Sequence, residues 1–370
     1  MDNDVLSSLT DPAVLFFFLG LVIGGIRSNL EIPAPIAKFL SLYLLMAIGF
    51  KGGQALGDSG FTGEATKVIG AAILLALSIP ALCFVILRRR VNAFDAAAIA
   101  ATYGSVSAVT FVVASQFLAN RGVEAGGYLT VALVLMESPA IIMAVLLATL
   151  VRSRSNGPHE TMAKPSLGND ERLRLSTIDS QTLVPEAEHR AGQLGPEETG
   201  NHETGTPLSI KEVLREAFTD GAHLLLLGAM LIGAITGDAG GEAMEPFTQG
   251  IFKGLLAFFL LEMGLLVARQ LREVRDVGPF LASFGAIIPF VNAALALGLG
   301  ALLDLSVGDL TLLAALASSG SYIVVPAVIR YAIPEARPSR YFTLALGITF
   351  PINVAIGIPT YFAIASAIAG

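Results

Sequence analysis

The chain is a series of apolar blocks, each about long enough to cross a bilayer, and no other feature restricts its fold as strongly. A membrane span needs about 20 mostly apolar residues, somewhat fewer when it packs against neighbours. Blocks of this kind lie at roughly 12–26, 36–56, 68–87, 95–118, 127–151, 218–236, 246–268, 277–303, 309–333 and 340–369. The predicted fold class is therefore an all-α polytopic membrane protein with ten transmembrane helices. Composition agrees: 54% of the residues are apolar and 14% charged, against about 25% charged in soluble domains. The 38 glycines and 18 prolines suit packed membrane helices. Cys83, the one cysteine, can form no internal disulfide.

Residues 152–209 are rich in Asn, Gly, Pro, Ser, Thr and acidic side chains, too polar to bury a core. They read as a flexible linker. The predicted organisation is a first membrane repeat over 1–151, the linker over 152–209 and a second repeat over 210–370.

The two halves match in order. Asp11 corresponds to Asp220, Ile48 to Met263, Gly104 to Gly320 and Tyr128 to Tyr341, at separations of 209, 215, 216 and 213 residues. A near-constant offset over so long a stretch indicates an internal repeat. Each repeat carries an odd number of spans, so the second is expected to be inverted. Basic residues agree with that topology: Arg27, Arg88–Arg90, Arg269, Arg272, Arg275, Arg330, Arg337 and Arg340 fall in loops on one side. By the positive-inside rule both termini are expected outside and the linker in the cytoplasm.

Two spans are interrupted at corresponding places, by Thr102-Tyr103-Gly104-Ser105-Val106-Ser107 and by Ser318-Ser319-Gly320-Ser321-Tyr322. A broken helix is tolerated at membrane depth only where its freed backbone groups face protein or a watery cavity, so paired breaks predict a binding site. Helices restarting after Ser107 and after Ser321 would aim two positive N-termini at one midplane point, which suits a small anion. Gly104, Ser105, Ser107, Ser319, Gly320 and Ser321 are the candidate substrate residues. Tight helix packing through small residues is the competing explanation.

Ionisable groups inside spans are costly and tend to be functional. Glu137 precedes Pro139, and its counterpart stretch holds Thr349, Pro351 and Asn353. Carboxylate, hydroxyl, amide and freed carbonyl oxygens there could hold sodium or relay a proton. Glu262 stands between a packing and a functional role, whereas His223 and Lys51 read as interfacial and Asp95 as a helix cap. Four histidines, three of them in the linker, and one cysteine leave no catalytic or nucleotide-binding constellation. No enzyme activity, cofactor or nucleic-acid partner is expected.

With these motifs in place, the chain resembles the sodium-dependent bicarbonate transporters of the cyanobacterial type and their bacterial relatives. The pieces that carry the resemblance are Ile48-Gly49-Phe50-Lys51-Gly52-Gly53, Gly104-Ser105-Val106-Ser107, Met136-Glu137-Ser138-Pro139-Ala140, and Ser319-Gly320-Ser321 followed by Pro326, Arg330 and Ile333-Pro334. The resemblance implies two inverted five-span repeats, a mobile core moving against a gate, and a homotrimer in the bacterial inner membrane. It further implies sodium-coupled symport of bicarbonate and a PII-like cytoplasmic regulator. Sodium, ligated by Glu137, Thr110, Thr349, Asn353 and Tyr322, is the expected coupling ion. The chain departs from the bicarbonate-transporting pattern at Ala108-Val109 and at Tyr322-Ile323-Val324-Val325, where the family carries small hydroxyl residues and an acid. A larger, drier site is the expectation there, with a different organic anion, proton coupling or a non-translocating sensor as the alternatives.

Overall fold

The computed structural model describes residues 11–60, 62–155, 221–322 and 324–370. Among these residues the regular elements are all helical. In chain order they are α1 (Pro12–Gly25), α2 (Ala34–Ser59), α3 (Gly63–Leu87), α4 (Ala93–Gly104), α5 (Ala108–Ala119), α6 (Tyr128–Ser155), α7 (Gly221–Glu245), α8 (Phe252–Gln270), the short α9 (Val274–Val277), α10 (Pro279–Leu302), α11 (Val307–Ser318), α12 (Val324–Ala332) and α13 (Pro338–Ala369). Seven helical stretches among them are long and apolar enough to cross a membrane, and α1 and α11 are shorter apolar helices. The chain is a multi-pass membrane protein. Residues 156–209 of the expected linker lie outside the described residues, whereas its first four belong to the end of α6.

The helix of block 218–236 ends where expected, at Gly237 (φ 53°, ψ −144°), which is not helical, and a second helical segment of α7 then runs on to Glu245 before block 246–268. A π-helical turn, Pro246–Gly250, then leads into α8. The last helix, α13, is continuous but passes through two π-helical turns, Thr343–Thr349 and Asn353–Gly357, flanking Pro351. Proline removes a backbone donor, and π turns are one way in which a helix absorbs that loss.

The helices fall into two groups. α1 packs along α8 and α2 along α7, the two most extensive contacts in the molecule. Small residues make these contacts close. A Cβ on Gly20 would sit 2.2 Å from the Leu261 carbonyl oxygen, one on Gly264 2.1 Å from that of Phe17, and one on Gly53 1.9 Å from that of Met230. Gly49, Gly53 and Gly57 recur every four residues on the face of α2 that meets α7. Such rows let backbones approach and gain dispersion energy where lipid offers no hydrophobic drive. These four helices form a panel. The others, α3–α6 and α10–α13, pack chiefly on one another. The paired half-helices α4/α5 and α11/α12 belong to this second group.

Gly53→Ala should lower stability by about 1–3 kcal/mol, the usual cost of overpacking. Gly228→Ala, in the same panel with nothing within 4 Å of the added carbon, should change it little. Thermal unfolding of the purified protein in detergent checks both.

Candidate substrate and ion site

The first break begins at a close packing contact. The stretch α4 ends at Gly104, where a Cβ would lie 2.0 Å from Cγ of Pro80 on α3. Only glycine fits there. The backbone is extended at Ser105 (ψ 179°), and Ser107 caps α5, its Oγ accepting from Thr110 N–H at 3.2 Å. In the second break Ser319 is likewise extended (ψ 163°), and Ser321 Oγ accepts from Val325 N–H at 3.3 Å, capping α12.

The breaks cross each other. Ser107 N–H donates to Ser319 Oγ at 2.8 Å, and Ser321 N–H donates to the Thr102 carbonyl at 2.9 Å. Each break thus satisfies backbone of the other, as burial without water demands. Ser319 Oγ in turn donates to the Leu316 carbonyl at 2.8 Å. Gly320 lies against Ala345 and Thr102.

Three candidates are left with unmet hydrogen-bonding capacity. Ser105 Oγ, Thr110 Oγ1 and the Tyr322 hydroxyl are buried; the first two have no hydrogen-bond partner among the described residues, and the third has only Ser107 beside it. An orphaned buried hydroxyl costs about 1–3 kcal/mol. The Tyr322 ring stands edge-on to Phe350 at 6.0 Å. The side chain of Val324 lies outside the described residues.

The other candidates are already occupied. Thr349 Oγ1 donates to the Gly285 carbonyl at 2.8 Å, so its contact with the Tyr103 hydroxyl at 2.6 Å has tyrosine as donor. Gly285 precedes Pro289 by four residues, and that proline leaves the carbonyl without its helical donor. Asn353 donates to the Ser318 carbonyl at 3.1 Å and accepts from Tyr361 at 2.8 Å. Glu137 pairs with His223. His223, in the first turn of the described part of α7, lies against the first half of α6 beside that carboxylate.

Two acids hold the half-helices from their far ends. Asn92 caps α4 and Ser306 caps α11, and the residue three on from each is a buried aspartate. Asp95, read from sequence as the cap, is therefore not one. It accepts from Arg337 N–H at 2.8 Å and Arg340 at 2.7 Å, just before and within the first turn of α13. Asp309 accepts from Gly126 N–H at 2.8 Å and from the Tyr128 hydroxyl at 2.5 Å, at the start of α6. Each acid ties a half-helix to the closing helix of the opposite half of the chain. Asp309 and Asn292, a fully buried amide with neither atom partnered, were missed by sequence reasoning. Polar residues in apolar blocks were the available signal, the same one that singled out Glu137.

A match over residues 12–366 to the Na+-dependent bicarbonate transporter superfamily covers nearly the whole described structure. The chain belongs to that superfamily. No curated protein matches it. Membership accords with its multi-pass helical structure.

Thr349→Val removes both a donor and an acceptor at a fully buried position, so stability should fall by about 1–3 kcal/mol. If its bonds are purely structural, the sodium dependence of any uptake should persist; sodium dependence lost while the fold survives would make Thr349 an ion ligand. Thermal unfolding and uptake, each measured with and without sodium, separate the two.

Proposed function

We propose that the chain is a secondary transporter that imports a small anion, bicarbonate first, by symport with sodium. The observation that carries this reading is the crossing of the two breaks, with the unpartnered buried hydroxyls of Ser105 and Thr110 and the buried phenol of Tyr322 on the segments that form it. Neutral hydroxyl donors and the N-termini of α5 and α12 can hold an anion without a buried counter-charge. Sodium would then share the oxygens of Thr110 and Tyr322 more readily than those of Thr349 and Asn353, which are engaged elsewhere.

The reading carries with it ten spans in two inverted repeats, with α1, α2, α7 and α8 as the gate and the remaining helices as the core. The reciprocal ties of Asp95 and Asp309 support such a repeat, since they are 214 residues apart and each reaches the opposite half. Both termini outside, a bacterial inner-membrane location, a homotrimer and a PII-like cytoplasmic regulator complete the proposal. Bicarbonate, sodium and lipid are the partners, and no cofactor is required.

A second reading is favoured by one observation. Tyr322 sets a phenol edge-on to Phe350 where a carboxylate stands in the bicarbonate-transporting pattern, so an anion with an apolar body would also be accommodated.

Reconstituted protein should take up labelled bicarbonate only with an inward sodium gradient. Ser105→Ala should raise the half-saturating concentration about tenfold, the worth of one hydrogen bond to a charged ligand. Sodium-independent uptake, or uptake of a larger carboxylate with none of bicarbonate, would move the assignment to the second reading.

A further inference from the structure

The panel and the second helix group do not close on each other everywhere. Between them, beside the end of α5 farthest from the crossing, lies a cavity of about 320 Å³. Its walls are buried apolar side chains: Val14, Leu256 and Leu260 from the panel, and Val113, Val354 and Ile358 from the core. Val113 follows Thr110 by three residues, about one helical turn, and Thr110 is not among the lining residues, so the cavity stops short of the crossing. Ligand sites run from about 300 to 1,000 Å³, so this one is sized for a single small molecule.

The polar groups gather at one end. Asp11, which caps α1, accepts from Ala13 N–H at 2.9 Å and from the Asn120 amide at 2.7 Å, and Gln116 donates to Asn120 at 2.7 Å. These three side chains tie panel to core across the rim and turn their polar atoms toward one another. Arg121 is held differently. Its guanidinium carbon lies 3.7 Å from the centre of the Phe117 ring and 5.7 Å from that of Phe362, and Nη1 donates to the Phe117 carbonyl at 3.3 Å. Aromatic faces thus position a cation at the polar end of an apolar cavity.

We propose that this cavity binds a monocarboxylate with a single apolar chain, its carboxylate on Arg121 and its chain between Val113, Leu256 and Leu260. The assignment follows from complementarity. A guanidinium fork matches a carboxylate bidentately, and apolar walls favour every methylene that leaves water. Bicarbonate has no apolar part for those walls to hold. The ligand touches panel and core at once, so its binding favours the arrangement in which the two stand as they do here. On the reading that panel and core move against each other during transport, the bound acid holds the carrier in this one state. It therefore slows uptake without competing for the crossing.

Octanoate is the probe, titrated calorimetrically into the protein in lipid nanodiscs, with empty discs as the blank. The expected result is one saturable site whose affinity rises about fourfold per added CH₂ along the series butanoate, hexanoate, octanoate. Arg121→Gln should weaken octanoate about tenfold and leave octanol unaffected. Val113→Phe, which fills the cavity, should abolish the binding of both. Each variant is first confirmed to elute as the parent does. No saturable site in the parent protein overturns the proposal, as does octanoate binding untouched by both substitutions. In vesicles, octanoate should lower the maximal rate of bicarbonate uptake at an unchanged half-saturating concentration. A raised half-saturating concentration alone puts octanoate at the crossing and overturns the separate site, and uptake indifferent to saturating octanoate overturns the holding role. Saturable, Arg121-dependent binding to a protein that moves no bicarbonate upholds the cavity site and removes the bicarbonate reading instead.

Discussion

Everything at the centre of this molecule depends on where two broken helices send their backbone hydrogen bonds. A break in an apolar surrounding exposes N–H and C=O groups that lipid cannot satisfy. Here the breaks answer each other, Ser107 N–H finding Ser319 and Ser321 N–H finding Thr102. The crossing cannot be formed by either half alone, so the two halves must be assembled before either break is stable. With those backbone needs met locally, the buried hydroxyls of Ser105 and Thr110 are left without a protein partner among the described residues.

Around that point the rest of the fold acts as support. Pro80 presses against Gly104 and fixes where α4 stops. The carbonyl freed by Pro289 is taken up by Thr349, which also receives Tyr103 and so links α4, α10 and α13. Asn353 and Tyr361 do the same for the end of α11. The panel is built differently, from glycine rows in close contact, and few polar groups cross from it to the core. Asn120 reaching Asp11 and Thr343 reaching Gln270 are two that do.

The helical architecture was legible because block length and apolar content report directly on burial in lipid. The breaks were legible because Gly and Ser clusters stand out against Ala, Leu and Val, and α5 does restart at Ala108, directly after Ser107. What the sequence could not convey was partnership. Ser105 and Ser107 look alike as letters, yet one hydroxyl is orphaned and the other caps a helix. Thr349 and Asn353 look like ligands until their bonds to carbonyls of other helices are seen. Asp95 was mistaken for a cap because its true partners lie more than two hundred residues away. The helical course past Gly237 was hidden as well, since Asp238-Ala239-Gly240-Gly241 has the composition of a loop.

The two aspartate ties differ in one respect that bears on the molecule as a whole. Asp95 is bound partly by a guanidinium that reaches solvent, Arg340, with its side chain 24% exposed. Asp309 is bound by an amide and a phenol, neither of them ionised. Dissolved salt weakens the first kind of attraction only to the extent that Arg340 reaches solvent, and the second still less. The same scaffold is thus fastened by a more electrolyte-sensitive joint at one end and by a less sensitive one at the other, and a change in ionic strength loosens its two faces unequally.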